Sequence, residues 1–380
     1  MVVEISSFYI VSLIIVCGYA GILAWFTRGW YRLKMCELKA EHPSTTVTII
    51  VPARNEESFI RQCLEGLIAQ DFPGQLFEII VVDDHSNDST LQIVRDIAQF
   101  TDRIKLRVYS LSEAEGKKAA IKLAMKFATG KLILCTDADC SHPKGWVSAM
   151  VKCFELKSPV FISAPVLLKS NGRFFGLFQE LEFMSLIASG AGAIGSGTPV
   201  MCNGANLGFS SKAYKNLRDD AMKADLSSGD DVFLMLSMKK AFGSSKIAFA
   251  KNKDAIVIAQ AARTMSGLVK QRLRWVSKSH AYRDAFLIFT ALSVMSMNSV
   301  IVVAFVAGFF SPGYFWLFSG ILLLKILLDF PLLVSFARFA GEQKKAWLIP
   351  LIQPLVVLFT TFSAIAGNLV KVSWKGRKNS

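Results

Sequence analysis

Two hydrophobic patterns divide the chain. Residues 8–26 are almost continuously apolar and long enough to cross a bilayer. From about residue 45 the pattern changes to short apolar runs separated by amphipathic stretches. It predicts strands at 47–51, 78–82, 104–111 and 131–135, with helices at 58–70, 89–100 and 117–128 between them. Strands alternating with amphipathic helices predict an α/β fold, a mostly parallel sheet flanked by helices. Beyond it lie an apolar helix at 174–186 and a glycine-rich stretch at 188–197, expected to be a loop or interfacial segment. A turn into a short strand follows at 203–209, then a basic amphipathic helix at 264–278. Three long apolar runs, 285–310, 314–337 and 347–369, complete the pattern and place transmembrane helices at both ends of the chain.

The organisation expected is therefore an anchor at 1–27, a globular domain at 45–262, an amphipathic interfacial helix at 263–282, a membrane region at 285–370 and a basic tail at 371–380. Arg28, Arg32, Lys34 and Lys39 follow the first apolar run, whereas Glu4 alone precedes it. The positive-inside rule puts the N-terminus outside and the globular domain in the cytoplasm. No basic start or small-residue cleavage site marks a removable signal, so the run is read as a retained anchor. Lys325 and Asp329 sit four residues apart inside the second C-terminal run and are expected to pair across one helical turn. Three further spans would put Lys371, Lys375, Arg377 and Lys378 outside, against the rule. Either the rule fails, or 347–369, interrupted by Pro350 and Pro354, is a re-entrant hairpin.

Composition agrees with a membrane-attached globular protein: 52% of the 380 residues are hydrophobic and only 19% are charged. The net charge of +14 suits an anionic partner, a lipid surface or a phosphorylated substrate. Nucleic acid is not expected, because the basic residues adjoin the apolar runs instead of forming an aromatic-interleaved stripe. Seven scattered cysteines and four histidines show no zinc-type spacing, which leaves the thiols as small hydrophobes.

The chemistry concentrates where strands end. Pro52-Ala-Arg-Asn-Glu-Glu follows the first strand, Asp83-Asp84 the second and Asp137-Ala-Asp139 the fourth. Ligands of open α/β sheets bind beyond the carboxyl ends of strands, so three polar clusters there make a site where one alone would be a turn. Closely spaced carboxylates are costly without a cation, and their oxygens suit Mg2+ or Mn2+. Lys117 and Lys118 open a helix after Gly116, a position at which the helix dipole favours anions, so phosphate contact is one reading and a solvated pair the other. Asp230 and Asp231 follow Gly229 at another helix start, as caps or as a general base. Gln271, Arg274 and Trp275 share one face of the basic helix, suited either to a diphosphate and a stacked ring or to a membrane surface.

Taken in order, Pro52-Ala-Arg-Asn-Glu-Glu57, Asp83-Asp84, Asp137-Ala-Asp139, Gly229-Asp-Asp231 and Gln271-Arg-Leu-Arg-Trp275 resemble the membrane-bound family 2 glycosyltransferases. Cellulose, hyaluronan and poly-N-acetylglucosamine synthases are members of this group. The resemblance implies a GT-A fold and an inverting hexosyl or N-acetylhexosaminyl transfer from a nucleotide sugar, UDP being the commonest carrier. Pro52, Arg54, Glu56, Asp83, Asp84, Lys118 and Asp137 would hold the nucleotide sugar, and Asp139 the Mg2+ or Mn2+. Asp231, beside Asp230, would deprotonate the acceptor, and Gln271, Arg274 and Trp275 would close over the diphosphate and acceptor. Asp230 stands where the family more often has glutamate. The acceptor implied is a lipid or glycan at the cytoplasmic face of the inner or plasma membrane. A processive polysaccharide synthase is the nearest alternative, but about four apolar segments leave little protein to line a channel unless a partner subunit or homo-oligomer supplies it. A membrane-anchored nucleotidyltransferase is a further alternative, disfavoured because 52–57 contains no glycine.

Overall fold

Val47, Ile49, Ile50 and Val51 are buried on both faces, as are Ile79 to Val82 and Leu132 to Cys135. Runs of this kind, apolar without alternation, belong in the middle of a parallel sheet covered on two sides. A computed structural model of the chain describes residues 2–36, 43–217, 230–369, 373–374 and 377–378. Lys39, Gly229, the side chain of Asp230 and those of the basic tail lie outside the described residues.

The chain opens with helix α1 (Val2–Arg32) and then enters the sheet through β1 (Val47–Ala53), α2 (Ile60–Ile68), β2 (Phe77–Asp83), α3 (Thr90–Gln99), β3 (Lys105–Ser110), α4 (Lys117–Phe127) and β4 (Leu132–Cys135). Next come α5 (Trp146–Lys157), β5 (Phe161–Ser163), β6 (Val166–Lys169), α6 (Phe174–Gly195), β7 (Leu207–Ser210), α7 (Ser211–Lys215), α8 (Asp230–Phe242), β8 (Ile247–Phe249) and β9 (Val257–Gln260). The helices α9 (Met265–Val276), α10 (Ala285–Gly308), α11 (Gly313–Ala340), α12 (Gln343–Ala346) and α13 (Ile349–Leu369) follow.

These elements form two compact units. One, Leu33–Ser170 with Met201–Ala261, holds a seven-stranded sheet of order β3-β2-β1-β4-β7-β5-β8 and a β6-β9 pair. Strands β1 to β4 are mutually parallel, and β7 runs antiparallel between β4 and β5. Amphipathic helices cover the sheet: α2 buries Ile60, Cys63, Leu64 and Leu67, the spacing of one helical face. At the amino edge of the strands, Glu78 is buried and fully engaged. It accepts from Thr48 Oγ1 at 2.8 Å, from Thr129 N at 2.9 Å and Oγ1 at 2.8 Å, and from the Arg107 guanidinium. Burial alone would raise its pKa, but the Thr129, Thr48 and Arg107 contacts outweigh it and hold the carboxyl below its usual range.

The other unit is helical: Met1–Arg32, Asn171–Val200 and Ala262–Ser380. Four of its helices, at 8–32, 285–308, 313–340 and 349–369, are long and apolar enough to cross a membrane. Two expectations change here. The glycine-rich stretch 188–197 is no loop, because α6 continues through it to Gly195. Its small residues are needed where α6 meets α1: a Cβ on Gly192 would stand 2.4 Å from Phe26 O, and one on Gly29 2.0 Å from Gly192 O. Small residues that let helix backbones approach explain the composition better than flexibility does. The last apolar run is no hairpin either, since α13 passes unbroken through Pro354. Lys325 and Asp329 do pair, at 2.6 Å, and Tyr19 Oη donates to Asp329 at 2.5 Å while the Gln353 amide donates to it as well.

Candidate active site

Parallel register brings the three acidic segments together. Pro52 and Ala53 lie opposite Val82 and Asp83, and Cys135 lies opposite Ile50, so the chain leaves β1, β2 and β4 at one edge. The first two exits are tied to each other. Asn55 and His85 both adopt left-handed backbone (φ 51° and 57°), which short polar side chains tolerate better than most. Asn55 N donates to Ser86 Oγ at 3.0 Å, and Asn87 N donates back to Asn55 Oδ1 at 2.9 Å. Glu56 N donates to Thr90 Oγ1 at 2.8 Å. Arg54 donates to the main-chain oxygen of Asp84 at 3.2 Å. Asp83 and Asp84 are buried; Asp83 Oδ2 accepts from Ser86 N at 3.3 Å, while its Oδ1 is enclosed without a hydrogen-bond partner.

Asp137 and Asp139 lie just past β4 and are partly exposed. The buried Cys63 thiol of α2 donates to Asp137 O at 3.6 Å. Burial, then the fields of Asp139, Asp137 and Glu56, push that thiol's pKa far up. Beneath them Thr136 Oγ1 donates to Ala205 O at 2.9 Å and meets His142 Nε2 at 2.7 Å. Burial lowers the His142 pKa from 6.5 to about 3, so the ring is neutral.

The cation that meets Asp137 is Lys117. Its ammonium sits 2.5 Å from Asp137 Oδ1 and donates to Gly204 O at 2.9 Å. Lys118, singled out from the sequence, is buried instead with its ammonium 5.6 Å from the Phe233 ring centroid. The signal that separates the two is Gly116. Its positive φ (91°) and its N–H, bonded to Asp84 Oδ2 at 3.0 Å, swing the start of α4 toward the strand ends. Lys117, Gly204 and Asp231 line one cavity together with Cys135. A Cβ on Gly204 would stand 2.8 Å from Lys117 Nζ and 3.4 Å from Asp231 Oδ2, so the absent side chain is what lets the helix start face the strand end. The segment 203–209 is fixed from below by Asn206, fully buried, which donates to Pro165 O and Ala255 O and accepts from Trp146 Nε1. Neither Gly204 nor Asn206 stands out in the sequence beyond a turn.

Gln271, Arg274 and Trp275 belong to the helical unit, on α9. The arginine that fixes this helix is Arg272. It is buried, forks onto Glu182 of α6, and lies 4.3 Å from the Trp275 ring. Gln179 of α6 closes the entry to α9 by bonding both the N–H and the O of Ala262. Among the described residues no group of three or more His, Cys, Asp or Glu is placed to hold a metal by itself.

Comparison with known proteins agrees with this layout. Residues 48–217 match the family described as Glycosyl transferase family 2. The chain is 39% identical over 93 residues to the poly(ribitol-phosphate) beta-N-acetylglucosaminyltransferase TarS of Staphylococcus aureus, covering 24% of this chain and 16% of that protein. It is 27% identical over 150 residues to the beta-monoglucosyldiacylglycerol synthase of Trichormus variabilis, covering 40% and 31%. These alignments therefore span less than a third of either relative's length. A solved structure, the mannosyltransferase PcManGT of Pyrobaculum calidifontis in complex with GDP-Man and Mn2+, superposes with a TM-score of 0.61 at 18% identity. That match takes in 95% of this chain and 99% of that one. A parallel sheet with its polar clusters at one edge, the family match across β1 to β7 and this likeness of fold identify residues 48–217 as a glycosyl transferase family 2 domain of the GT-A type.

Proposed function

We propose that the chain is an inverting glycosyltransferase that moves a hexose or N-acetylhexosamine from a nucleotide sugar, a UDP-sugar by the family's habit, to a lipid or glycan acceptor. The observation that carries this reading is the meeting of Asp137, Lys117 and Asp231 across the bare backbone of Gly204. An acceptor base, a diphosphate cation and a metal-side carboxylate are what an inverting displacement requires within a few ångströms of one another.

The nucleoside would lie over the joined exits of β1 and β2, against Pro52, Arg54, Glu56, Asp83 and Asp84. Asp83 Oδ1, buried without a donor, is the kind of acceptor that a nucleobase N–H satisfies. Asp139, beside Asp137, would hold Mg2+ or Mn2+. Two carboxylates, one of them already shared with an ammonium, fit a cation that takes its remaining ligands from phosphate oxygens and water. When bound, the metal supplies charge neutralisation on the departing diphosphate. Lys117 adds a fixed positive charge to the same leaving group. Asp231 accepts the proton of the incoming hydroxyl on the opposite side, so the anomeric centre inverts. Gln271, Arg274 and Trp275 are assigned to the acceptor and diphosphate lid on their motif alone.

The name of the beta-monoglucosyldiacylglycerol synthase supports a lipid acceptor, and that of TarS supports an N-acetylhexosamine. The apolar helices support work at a membrane, and the basic residues after the first of them support its cytoplasmic face. The test is a panel of sugar nucleotides offered to the purified protein with Mg2+ and with Mn2+, scoring released nucleotide and product length. A nucleoside diphosphate and single additions to lipid are expected. A polymer ladder would favour a processive synthase, and released pyrophosphate a nucleotidyltransferase.

A further inference from the structure

The apolar helix α13 has the length of a span, yet its contacts do not let it cross. Depth within the helical unit is set by α1, α10 and α11. Helices α1 and α11 run parallel: the Phe8 and Tyr314 rings are 5.6 Å apart at one end, Tyr19 meets Asp329 midway, and the Trp30 and Phe336 rings are 5.3 Å apart at the other. Helix α10 begins at that second end, where the Phe26 and Phe286 rings are 6.5 Å apart. It turns into α11 at the first end, where the Phe309 and Phe315 rings are 5.4 Å apart. The second end carries Arg28, Arg32 and Arg338 and is therefore the basic end of a three-helix bundle.

A crossing α13 would leave the basic end and finish about 31 Å away, a 21-residue helix at 1.5 Å per residue. Its last turn would then sit by the α10–α11 turn. The observed positions are different. Its beginning lies against the middle of α11, where the Phe330 and Trp347 rings are 6.1 Å apart and Gln353 reaches Asp329. Its end lies at the basic end: Asn368 Oδ1 accepts from Ser279 Oγ at 3.4 Å, just ahead of α10. Gly367 abuts α9 so closely that a Cβ there would stand 2.6 Å from Val276 Cβ. Both ends of α13 thus stay in one half of the bundle.

Its outward face is a single apolar stripe. Leu351, Leu355, Leu358, Phe362 and Ile365, spaced alternately by four and three residues, are each 38–66% exposed. We propose that α13 is a monotopic helix embedded in the phospholipid leaflet at the basic end, so that the chain spans the membrane three times and returns its tail to the side of Arg32. The occupant is lipid because the stripe continues the apolar outer faces of α10 and α11, among them Ile288, Phe289 and Leu327. The assignment also removes the conflict in the sequence. Lys371, Lys375, Arg377 and Lys378 then emerge with Arg28 and Arg32, as the positive-inside rule and anionic headgroups both favour. This inference is independent of the transfer chemistry.

The test uses the full chain with an epitope tag at each end, in right-side-out and in inverted membrane vesicles treated with protease. Three spans put the tags on opposite faces, so each preparation loses a different tag. Loss of both tags from the same preparation would mean four spans and overturn the proposal. A nitroxide on Leu358→Cys supplies the second reading. Collisions with dissolved oxygen exceeding those with an aqueous nickel chelate are expected, and the reverse order would show α13 in water and likewise overturn it.

Discussion

One sheet carries buried or half-buried carboxylates at both of its edges, and the two edges treat them differently. At the amino edge, Glu78 has both oxygens occupied by its own chain, through Thr48, Thr129 and Arg107. At the carboxyl edge, Asp137 and Asp139 are partly exposed, Asp137 shares one oxygen with a lysine that is itself 25% exposed, and Asp83 keeps an oxygen enclosed without a donor. A carboxylate completed by the fold serves stability. Carboxylates gathered at one edge around Lys117 and partly open to solvent are suited to a ligand that arrives later.

Exchanging the roles of the two edges should fail in opposite ways. The largest expected effect is at the base: Asp231→Asn lowers transfer at least about 10³-fold while donor binding and thermal stability stay near wild type. Asp139→Ala should cost a similar factor, with loss of metal-dependent donor binding measured by titration calorimetry. Lys117→Met follows at about 10²-fold in kcat/KM, whereas Lys118→Met acts mainly on stability, as the burial of Lys118 against Phe233 requires. At the other edge, Glu78→Ala strands Arg107 and two threonines. It should cost about 3–5 kcal/mol of stability in chemical denaturation yet leave turnover per folded molecule nearly unchanged.

The smallest effect expected is one of pH. Because burial holds His142 at about 3 against an ordinary 6.5, the unfolded chain takes up a proton below pH 6.5 that the folded chain refuses. Thermal stability should therefore decline as pH falls from 6.5 toward 5, and His142→Gln should flatten that decline. The lowered Glu78 carboxyl acts in a separate window, adding stability that is full above its ordinary value of 4.5 and is lost as pH falls below it toward the lowered folded value.

The contrast between the edges explains what could be foreseen. Strand-forming runs and the acidic clusters after them are local signals, so β1 to β4 and the grouping of Asp83, Asp84, Asp137 and Asp139 were legible. What was not legible depends on which backbone approaches which. Lys117 and Lys118 are neighbours of one type, and only the turn at Gly116 decides which of them faces Asp137. The glycines of 188–197 suggested a loop because a helix's need for close packing against α1 is a property of the pair. Gly204 and Asn206 look like turn residues until Asp231 and Trp146 are beside them. Arg272 lay inside the recognised motif, but its burial against Glu182 required knowing that α6 reaches it.

The central claim is that the carboxyl edge transfers a sugar with Asp231 as base. Its most direct test is release of nucleoside diphosphate from the donor panel by wild type and by Asp231→Asn, side by side, with donor binding measured on both. The account predicts release by the wild type from at least one sugar nucleotide, and binding without release by the variant. Release by Asp231→Asn at the wild-type rate would contradict it.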